Sequence, residues 1–162
     1  MGSRPCAFLF LALVGVFFGA IGHRVDTSIH AMIGGRGFRL ELAHDAESHR
    51  RGLGGRTWLT QDRGMLFVFA RSDTRLFTMR DCAIALDLLY LDRSRRVIDV
   101  YAMEPEPPRS SADASDEAYM ARLHGYISSM PARYAVEIAG GMASELGVRR
   151  GDVVEFDADG LE

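Results

Sequence analysis

The sequence predicts a mostly β domain with two short helices, an α+β chain whose antiparallel sheet curls into a small barrel or sandwich. Short apolar runs recur along the chain, and their length is typical of strands rather than of independent helices. Glycine-rich or polar turns separate these runs. The chain also lacks the regular alternation of strands and helices that is typical of a parallel sheet.

A β-hairpin opens the domain. From Phe38 to Leu42 apolar and polar residues alternate, which is the period of a half-buried strand. A preceding strand from Thr27 to Ile33 can pair with it, because the glycines between residues 34 and 37 permit the positive φ angles of a tight turn.

A short helix is predicted after this hairpin. Asp45 is a suitable N-cap, Glu47 lies in the first turn where the helix dipole favours a negative charge, and Gly52 ends the helix after Arg51. The continuous apolar run from Met65 to Phe69 then predicts a buried strand.

The middle of the chain predicts a second hairpin. Leu88–Leu91 and Val97–Tyr101 are apolar runs joined by the polar turn of residues 92–96. A weaker strand, Leu76–Met79, precedes them.

The rest of the domain begins with a change in composition. Residues 104–117 are rich in Pro, Ser, Ala and acidic residues without apolar periodicity, and we expect a mobile loop there. A helical turn at Ala118–Leu123, a strand at Tyr134–Ile138, a short helix at Gly140–Leu146 and a last strand at Val153–Phe156 complete the prediction.

The first 22 residues have the pattern of a secretory signal peptide. Arg4 precedes sixteen uncharged, mostly apolar residues from Cys6 to Ile21. A helix of that length rises about 24 Å, short of the roughly 30 Å hydrocarbon core of a bilayer. Ala20 and Gly22 are small residues at a suitable cleavage site. We therefore expect an exported, periplasmic or extracellular domain of residues 23–162, with an uncleaved membrane anchor of residues 6–21 as the alternative.

Composition excludes several function classes. The chain contains no lysine, which Schiff-base enzymes and Walker-type phosphate loops both require. Its net charge of -3 argues against general nucleic-acid binding, which depends on basic patches. Cys82 is the sole cysteine after the signal segment, so we expect a buried, unreactive thiol rather than a disulfide.

The order of the motifs carries a family resemblance. GLGGR at 52–56, GMLFVF at 64–69, FTMRDC at 77–82 and ALDLLYLD at 85–92 are followed by PARYAVEIAGG at 131–141 and GVRRGDVVEF at 147–156. Together they resemble the family called domain of unknown function 192, over about residues 40–156. The resemblance implies a compact, mostly antiparallel β domain, often exported in bacteria, without an established reaction, substrate or cofactor.

The chain departs from this family pattern at four positions. Gly54 stands where the family usually has Met, Thr78 where it has an aromatic residue, Asp81 where it has Asn and Ala85 where it has Pro.

Four residues match the polar positions of the family: Arg56, Asp81, Asp87 and Glu137. One hypothesis is that they converge at a mouth of the barrel and bind an anionic ligand. The alternative, which we favour, is a structural ion-pair network in which Arg56 pairs with Asp87 or Glu137.

Other chemistries find little support in the sequence. His44 and His49 lack the i, i+4 spacing of a helical metal site, and no G-x-S-x-G nucleophile elbow is present. We therefore predict no catalytic residue, no metal site and no cofactor.

Three functions remain open. The first is a small extracytoplasmic binding or accessory module for an unknown small ligand. The second is a hydrolase or lyase using Asp81 and Asp87 or Glu137 as paired carboxylates. The third is an envelope module whose loop of residues 104–117 recognises a partner protein. In each case nucleic acid is not a partner, and the membrane is contacted only through the N-terminal segment if that segment is uncleaved.

Overall fold

The computed structural model of the chain describes residues 28–161, so the predicted signal segment lies outside the described residues. The described strands are β1 Ser28–Ile33, β2 Arg36–Ala43, β3 Arg63–Asp73, β4 Leu76–Phe77, β5 Leu86–Leu91, β6 Val97–Met103, β7 Tyr126–Ile127, β8 Ala132–Ala139 and β9 Glu155–Phe156. The helices are α1 Ala46–Arg51, α2 Asp116–Arg122 and α3 Met142–Glu145. None of the helices in this part of the chain is long and apolar enough to cross a bilayer.

Seven strands form one strongly curled sheet, a half-barrel, in the order β6-β5-β8-β3-β2-β1-β9. The segment after α3 connects its two ends, because Val153 bridges to Arg96 beside β6 while β9 pairs with β1. Strands β4 and β7 pair separately across one face. The predicted mostly β fold with a curled sheet is therefore confirmed.

The prediction of a wholly antiparallel sheet is wrong at one position. Strand β2 pairs with β3 in parallel, with Leu40 opposite Gly64, so the sheet is mixed. Parallel neighbours need a crossover connection. Residues 44–62, which contain α1, provide it and carry the chain back to the start of β3.

The predicted number of helices is also wrong, because the described residues form three. The predicted helical turn at Ala118–Leu123 belongs to a full helix, α2, which begins at Asp116, inside the segment predicted as a loop. The Ser115 side chain accepts a hydrogen bond from the Ala118 amide at its N-terminus. A serine followed by two acidic residues is a helix-start pattern, and the low apolar periodicity of the preceding segment hid this start.

The two predicted hairpins and the first helix are confirmed. Strands β1 and β2 pair in antiparallel register, as do β5 and β6. Asp45 caps α1 by accepting a hydrogen bond from the Ser48 amide at 2.8 Å.

The central strands are buried on both faces. Every residue of β5 is buried, and so are seven consecutive residues of β8, from Ala132 to Ile138. One face contributes to a first core that includes Leu40, Leu66, Leu89, Val136 and Ile138. The other contributes to a second core that includes Leu53, Phe67, Met79, Leu88 and Tyr90. A polar residue in these strands must therefore find its partners inside the protein.

The predicted loop is attached to α2. Arg122 donates hydrogen bonds to the Asp113 carboxylate and to the carbonyl oxygens of Pro107 and Pro108. The Glu106 carboxylate accepts a hydrogen bond from the His124 amide. Most residues of the loop are nevertheless exposed.

Candidate ligand-binding site

Arg56 does not pair with the carboxylates expected for it. One of its guanidinium nitrogens, Nη2, lies 2.7 and 2.6 Å from the two carboxylate oxygens of Glu41 on β2. The Arg56 and Glu41 side chains are 36% and 46% exposed. The expected pairing with Asp87 or Glu137 is therefore wrong, because Arg56, in the loop after α1, forms its ion pair with Glu41 on β2.

Asp87 has a structural partner on the first-core side of the sheet. Its Oδ2 accepts a hydrogen bond from the Ala143 amide at 2.6 Å. Gly141 precedes α3 and provides no side-chain cap, so Asp87 on β5 satisfies one of the free amides at the start of this helix.

Glu137 lies on the opposite face from Asp87. The register of β5 and β8 pairs Asp87 with Ile138 and Leu88 with Glu137. Paired residues of neighbouring strands lie on one face, so Glu137 shares the second-core side with Leu88, whereas Asp87 shares the first-core side with Ile138. These two carboxylates cannot act as a catalytic pair across one cleft.

Asp81 lies in an exposed turn that is hydrogen-bonded to Tyr119 on α2. It adopts a positive φ of 53°, and its amide donates a hydrogen bond to the Tyr119 hydroxyl oxygen at 3.0 Å. Its carboxylate accepts from the side chains of Arg80 and Tyr119. The four residues singled out in the sequence therefore occupy separate environments, and the predicted common site is not formed.

Glu137 differs from the other three because its carboxyl group is both buried and incompletely bonded. The residue is 5% exposed, and its Oε2 atom has no hydrogen-bond partner among the described residues. Burial raises the pKa of Glu137 to about 7, although a hydrogen bond from the Leu53 backbone opposes this rise. Near neutral pH the group is thus divided between its acidic and ionised forms.

The Leu53 amide reaches Glu137 because of the glycine before it. Gly52 ends α1 with a φ of +50°, in the left-handed region that favours glycine. A Cβ atom at this position would meet Glu137 Oε2 and Phe67 Cζ, each at 3.5 Å. The end of α1 therefore lies directly against the buried carboxyl group.

A cavity of about 200 Å³ adjoins Glu137, and we call it the Glu137 cavity. Its wall combines the turn after α1, the β4 region and the second-core face of the sheet. The apolar side chains that line it are Leu53, Phe67, Leu76, Phe77, Met79, Leu86 and Met120.

Three arginines and one histidine lie around the same cavity. His49, Arg50, Arg51 and Arg80 contribute to its lining. Arg51 pairs with Glu47, and Arg80 pairs with Asp116 at 2.9 Å. Arg50 is exposed and forms no ion pair within residues 28–161. The site thus joins a buried acid and an apolar wall to a positively charged rim.

Cys82 lines the Glu137 cavity but lacks the properties of a nucleophile. It is buried, as predicted, and its Sγ donates to the Ile84 carbonyl oxygen at 3.5 Å. Burial raises the pKa of the Cys82 thiol, and the charge of Glu137 acts in the same direction. A raised pKa keeps the thiol protonated, whereas a reactive cysteine needs the thiolate form.

Most of this site was missed in the sequence because its parts come from distant segments. Glu137 was singled out, but Leu53, Phe77 and Met79 were not. The local signal that could have indicated the site was the Gly52-Leu53-Gly54 turn directly after a helix. No group of three or more His, Cys, Asp or Glu side chains in residues 28–161 is arranged to hold a metal ion.

Residues 29–156 match the family model DUF192, described as "Uncharacterized ACR, COG1430". No curated protein matches the chain.

Two solved structures are similar to this one. A protein of unknown function from Novosphingobium aromaticivorans is 29% identical, with a TM-score of 0.64 over 79% of this chain and 83% of that chain. A "putative transcription regulator" from Sinorhizobium meliloti is 23% identical, with a TM-score of 0.63 over 80% of this chain and 92% of that chain. At 23% identity the second similarity shows a shared fold only.

Proposed function

This chain belongs to the DUF192 family, and we propose that it is a binding module that holds a small amphipathic molecule against Glu137. The observation that carries the proposal is the unpartnered Oε2 atom of a buried carboxyl group beside the Glu137 cavity. An unsatisfied buried polar atom costs about 1 to 3 kcal/mol, and more when it is charged. A ligand that donates a hydrogen bond to this atom removes that cost.

The ligand group that fits Glu137 best is an amine. A hydroxyl group can donate one hydrogen bond, but an ammonium group adds a charge that stabilises the ionised carboxylate. Because burial raises the pKa of Glu137 to about 7, an amine that binds there lowers this pKa and causes a proton to leave the carboxyl group.

The surroundings define the other two parts of the ligand. Phe67, Phe77 and Met79 provide an apolar wall for a hydrocarbon or aromatic body. Arg50 at the rim, which forms no ion pair within residues 28–161, favours an anionic group at the opposite end. A small zwitterion with an apolar body, such as an aromatic or branched-chain amino acid, combines all three features.

The same geometry argues against the paired-carboxylate enzyme. Asp87 lies on the other face of the sheet, and Asp81 is exposed and bonded to Arg80. Paired acid and base catalysis requires two carboxyl groups at one cleft, and within the described part of the chain Glu137 is the sole carboxyl group that lines this cavity.

Calorimetric titration with three related compounds tests the proposal. We expect L-phenylalanine to bind, 3-phenylpropionate to bind far more weakly because it lacks the amine, and phenethylamine to bind more weakly because it lacks the carboxylate. Glu137→Gln should weaken phenylalanine binding roughly tenfold or more, since a charge-assisted hydrogen bond is lost.

Two further variants control this experiment. Thr78 lines the cavity, so Thr78→Trp should fill it and abolish binding. Glu145→Gln removes an exposed carboxylate on α3 and should leave binding unchanged. Absence of binding by all three compounds, or equal binding by wild type and Glu137→Gln, would contradict the proposed function.

We further propose that the protein acts outside the cytoplasm, on the basis of the apolar run of residues 6–21 and the small residues Ala20 and Gly22. Expression in a bacterial host followed by mass spectrometry of the periplasmic fraction should give a chain that begins near His23. An intact Met1 in the cytoplasmic fraction would be the contrary result.

A further inference from the structure

A second cavity, which shares no lining residue with the Glu137 cavity, has an unusual excess of positive charge. It measures about 620 Å³ and lies where the end of β3, the turn between β5 and β6 and the start of β8 meet. Its lining residues are Ala70, Arg71, Ser72, Asp92, Arg93, Pro131 and Arg133. We call it the Arg133 cavity.

Arg133 is a buried cation in the wall of this cavity. It is 7% exposed, and its Nη1 atom is buried without a hydrogen-bond acceptor among the described residues. No carboxylate among residues 28–161 pairs with it, and its Cζ lies 5.4 Å from the centroid of the neighbouring Tyr134 ring. A guanidinium group cannot lose its charge in a protein, so burial without an anion is unfavourable.

The other charges of the cavity do not neutralise Arg133. Arg71 and Arg93 are exposed and form no ion pair within residues 28–161. The one carboxylate of the lining, Asp92, already accepts hydrogen bonds from the amides of Ser94 and Arg96. Three positive charges and one negative charge therefore leave two positive charges around the cavity.

Arg75 shows that this positive field extends beyond the lining. Burial lowers the pKa of Arg75, Asp73 opposes that change, and the charges of Arg71 and Arg133 add to it. The Nε atom of Arg75 also lacks a hydrogen-bond partner among the described residues.

The backbone opens the sheet at this point. Strands β3 and β8 pair continuously from Gly64 to Val68, and then the register shifts before Asp73 pairs with Ala132. Such irregularities separate two strands locally and occur often beside functional sites. Here the shift places the β3 residues Ala70 to Ser72 in the wall of the cavity.

We propose that the Arg133 cavity binds a phosphomonoester group of a small molecule. Guanidinium groups bind the oxygens of phosphate in bidentate geometry, and a phosphomonoester carries a charge of about -1.5 to -2 near neutral pH. That charge matches the two uncompensated positive charges of the lining. The volume is also in the usual range for a small-molecule site, about 300 to 1,000 Å³.

Thermal unfolding in the presence of inorganic phosphate, glycerol 3-phosphate and succinate tests this site on the full chain. Both phosphate compounds should raise the Tm of the wild type saturably, at a constant ionic strength set with sodium chloride. Arg133→Gln should reduce the phosphate affinity roughly tenfold or more, since it removes a buried charged partner. It should not lower the Tm without phosphate, since it also removes an unpaired buried charge.

Arg149→Gln is the matched control, because Arg149 is exposed, has no side-chain partner within residues 28–161 and lies outside the cavity lining. It should respond to phosphate like the wild type. If Arg133→Gln does not fold, Arg93→Gln decides the question, since an exposed rim residue should weaken phosphate binding several-fold without harming the fold. An equal phosphate response in wild type and the cavity variants would overturn the proposal, as would stronger stabilisation by succinate than by phosphate.

Discussion

Asp87 and Glu137 lie on neighbouring strands of one sheet, and both are buried, yet their environments differ. Asp87 accepts a hydrogen bond from the Ala143 amide at the start of α3. Glu137 retains an oxygen without a partner among the described residues, beside a cavity. The first residue therefore stabilises the fold, and the second leaves a position for a ligand.

The free energy of unfolding should depend on pH through Glu137. Its pKa is about 7 in the folded protein, raised by burial from an ordinary value of 4.5, so the folded state binds the proton more tightly. Tighter proton binding at Glu137 stabilises the folded state by about 3 kcal/mol. This stabilisation is fully present below about pH 4.5 and is lost as the pH rises towards 7. Urea unfolding of wild type and Glu137→Gln at pH 5.5 and pH 8 measures about 2 kcal/mol of this loss, because the rest occurs below pH 5.5.

From pH 5.5 to pH 8 the free energy of unfolding of Glu137→Gln should rise relative to that of the wild type, because the glutamine amide does not ionise. Glu145→Gln, which removes an exposed carboxylate, should keep the wild-type pH dependence. Parallel pH profiles for wild type and Glu137→Gln would refute the assignment of a raised pKa.

Arg56 and Asp87 should differ in their effects on stability. Arg56→Ala breaks a half-exposed pair with Glu41 and should cost about 0 to 1 kcal/mol. Asp87→Ala leaves the buried Ala143 amide without its acceptor and should cost about 1 to 3 kcal/mol. Equilibrium unfolding in urea compares the two variants, and a larger loss for Arg56→Ala would show that this ranking is wrong.

At the scale of the elements, local patterns predicted most strands correctly. Glycines at residues 34–37 and the polar turn at residues 92–96 predicted the two hairpins, because turn chemistry is encoded in adjacent residues. Whether β2 and β3 pair in parallel depends on how residues 44–62 cross the sheet. That crossing is a tertiary property, which explains why the sequence predicted a wholly antiparallel sheet.

The loop before α2 provides a test at this scale. Arg122 and then Ser110 lower the pKa of Asp113 to about 2, which reflects the bonds between this loop and the helix. Arg122→Gln removes the bonds to Asp113, Pro107 and Pro108. Trypsin should then cut after Arg109 several-fold faster, because cleavage follows local opening.

Mass spectrometry of timed digests gives this rate. Arg36→Gln, which removes an exposed pair with Glu145 on another part of the domain, should leave the rate unchanged. An unchanged rate for Arg122→Gln would mean that Arg122 does not hold the loop.

At the scale of the whole molecule, the sequence predicted single residues of the site better than their arrangement. Glu137 could be singled out as a charged residue within an apolar run, and Cys82 as a buried thiol. The Glu137 cavity joins the turn after α1, the β4 region and β8, which are far apart in sequence. Arg133 was overlooked because the absence of a partner is visible only once every neighbour has been placed.

The central claim is that Glu137 is a buried acid available to a ligand, and an NMR titration of its carboxyl carbon tests this most directly. In protein labelled with ¹³C-glutamate, assigned by comparison with Glu137→Gln, the midpoint should lie near pH 7. Saturation with L-phenylalanine should lower it by about one pH unit or more, because the ammonium group stabilises the carboxylate. A midpoint near the ordinary value of 4.5, or one that phenylalanine does not change, would contradict the account.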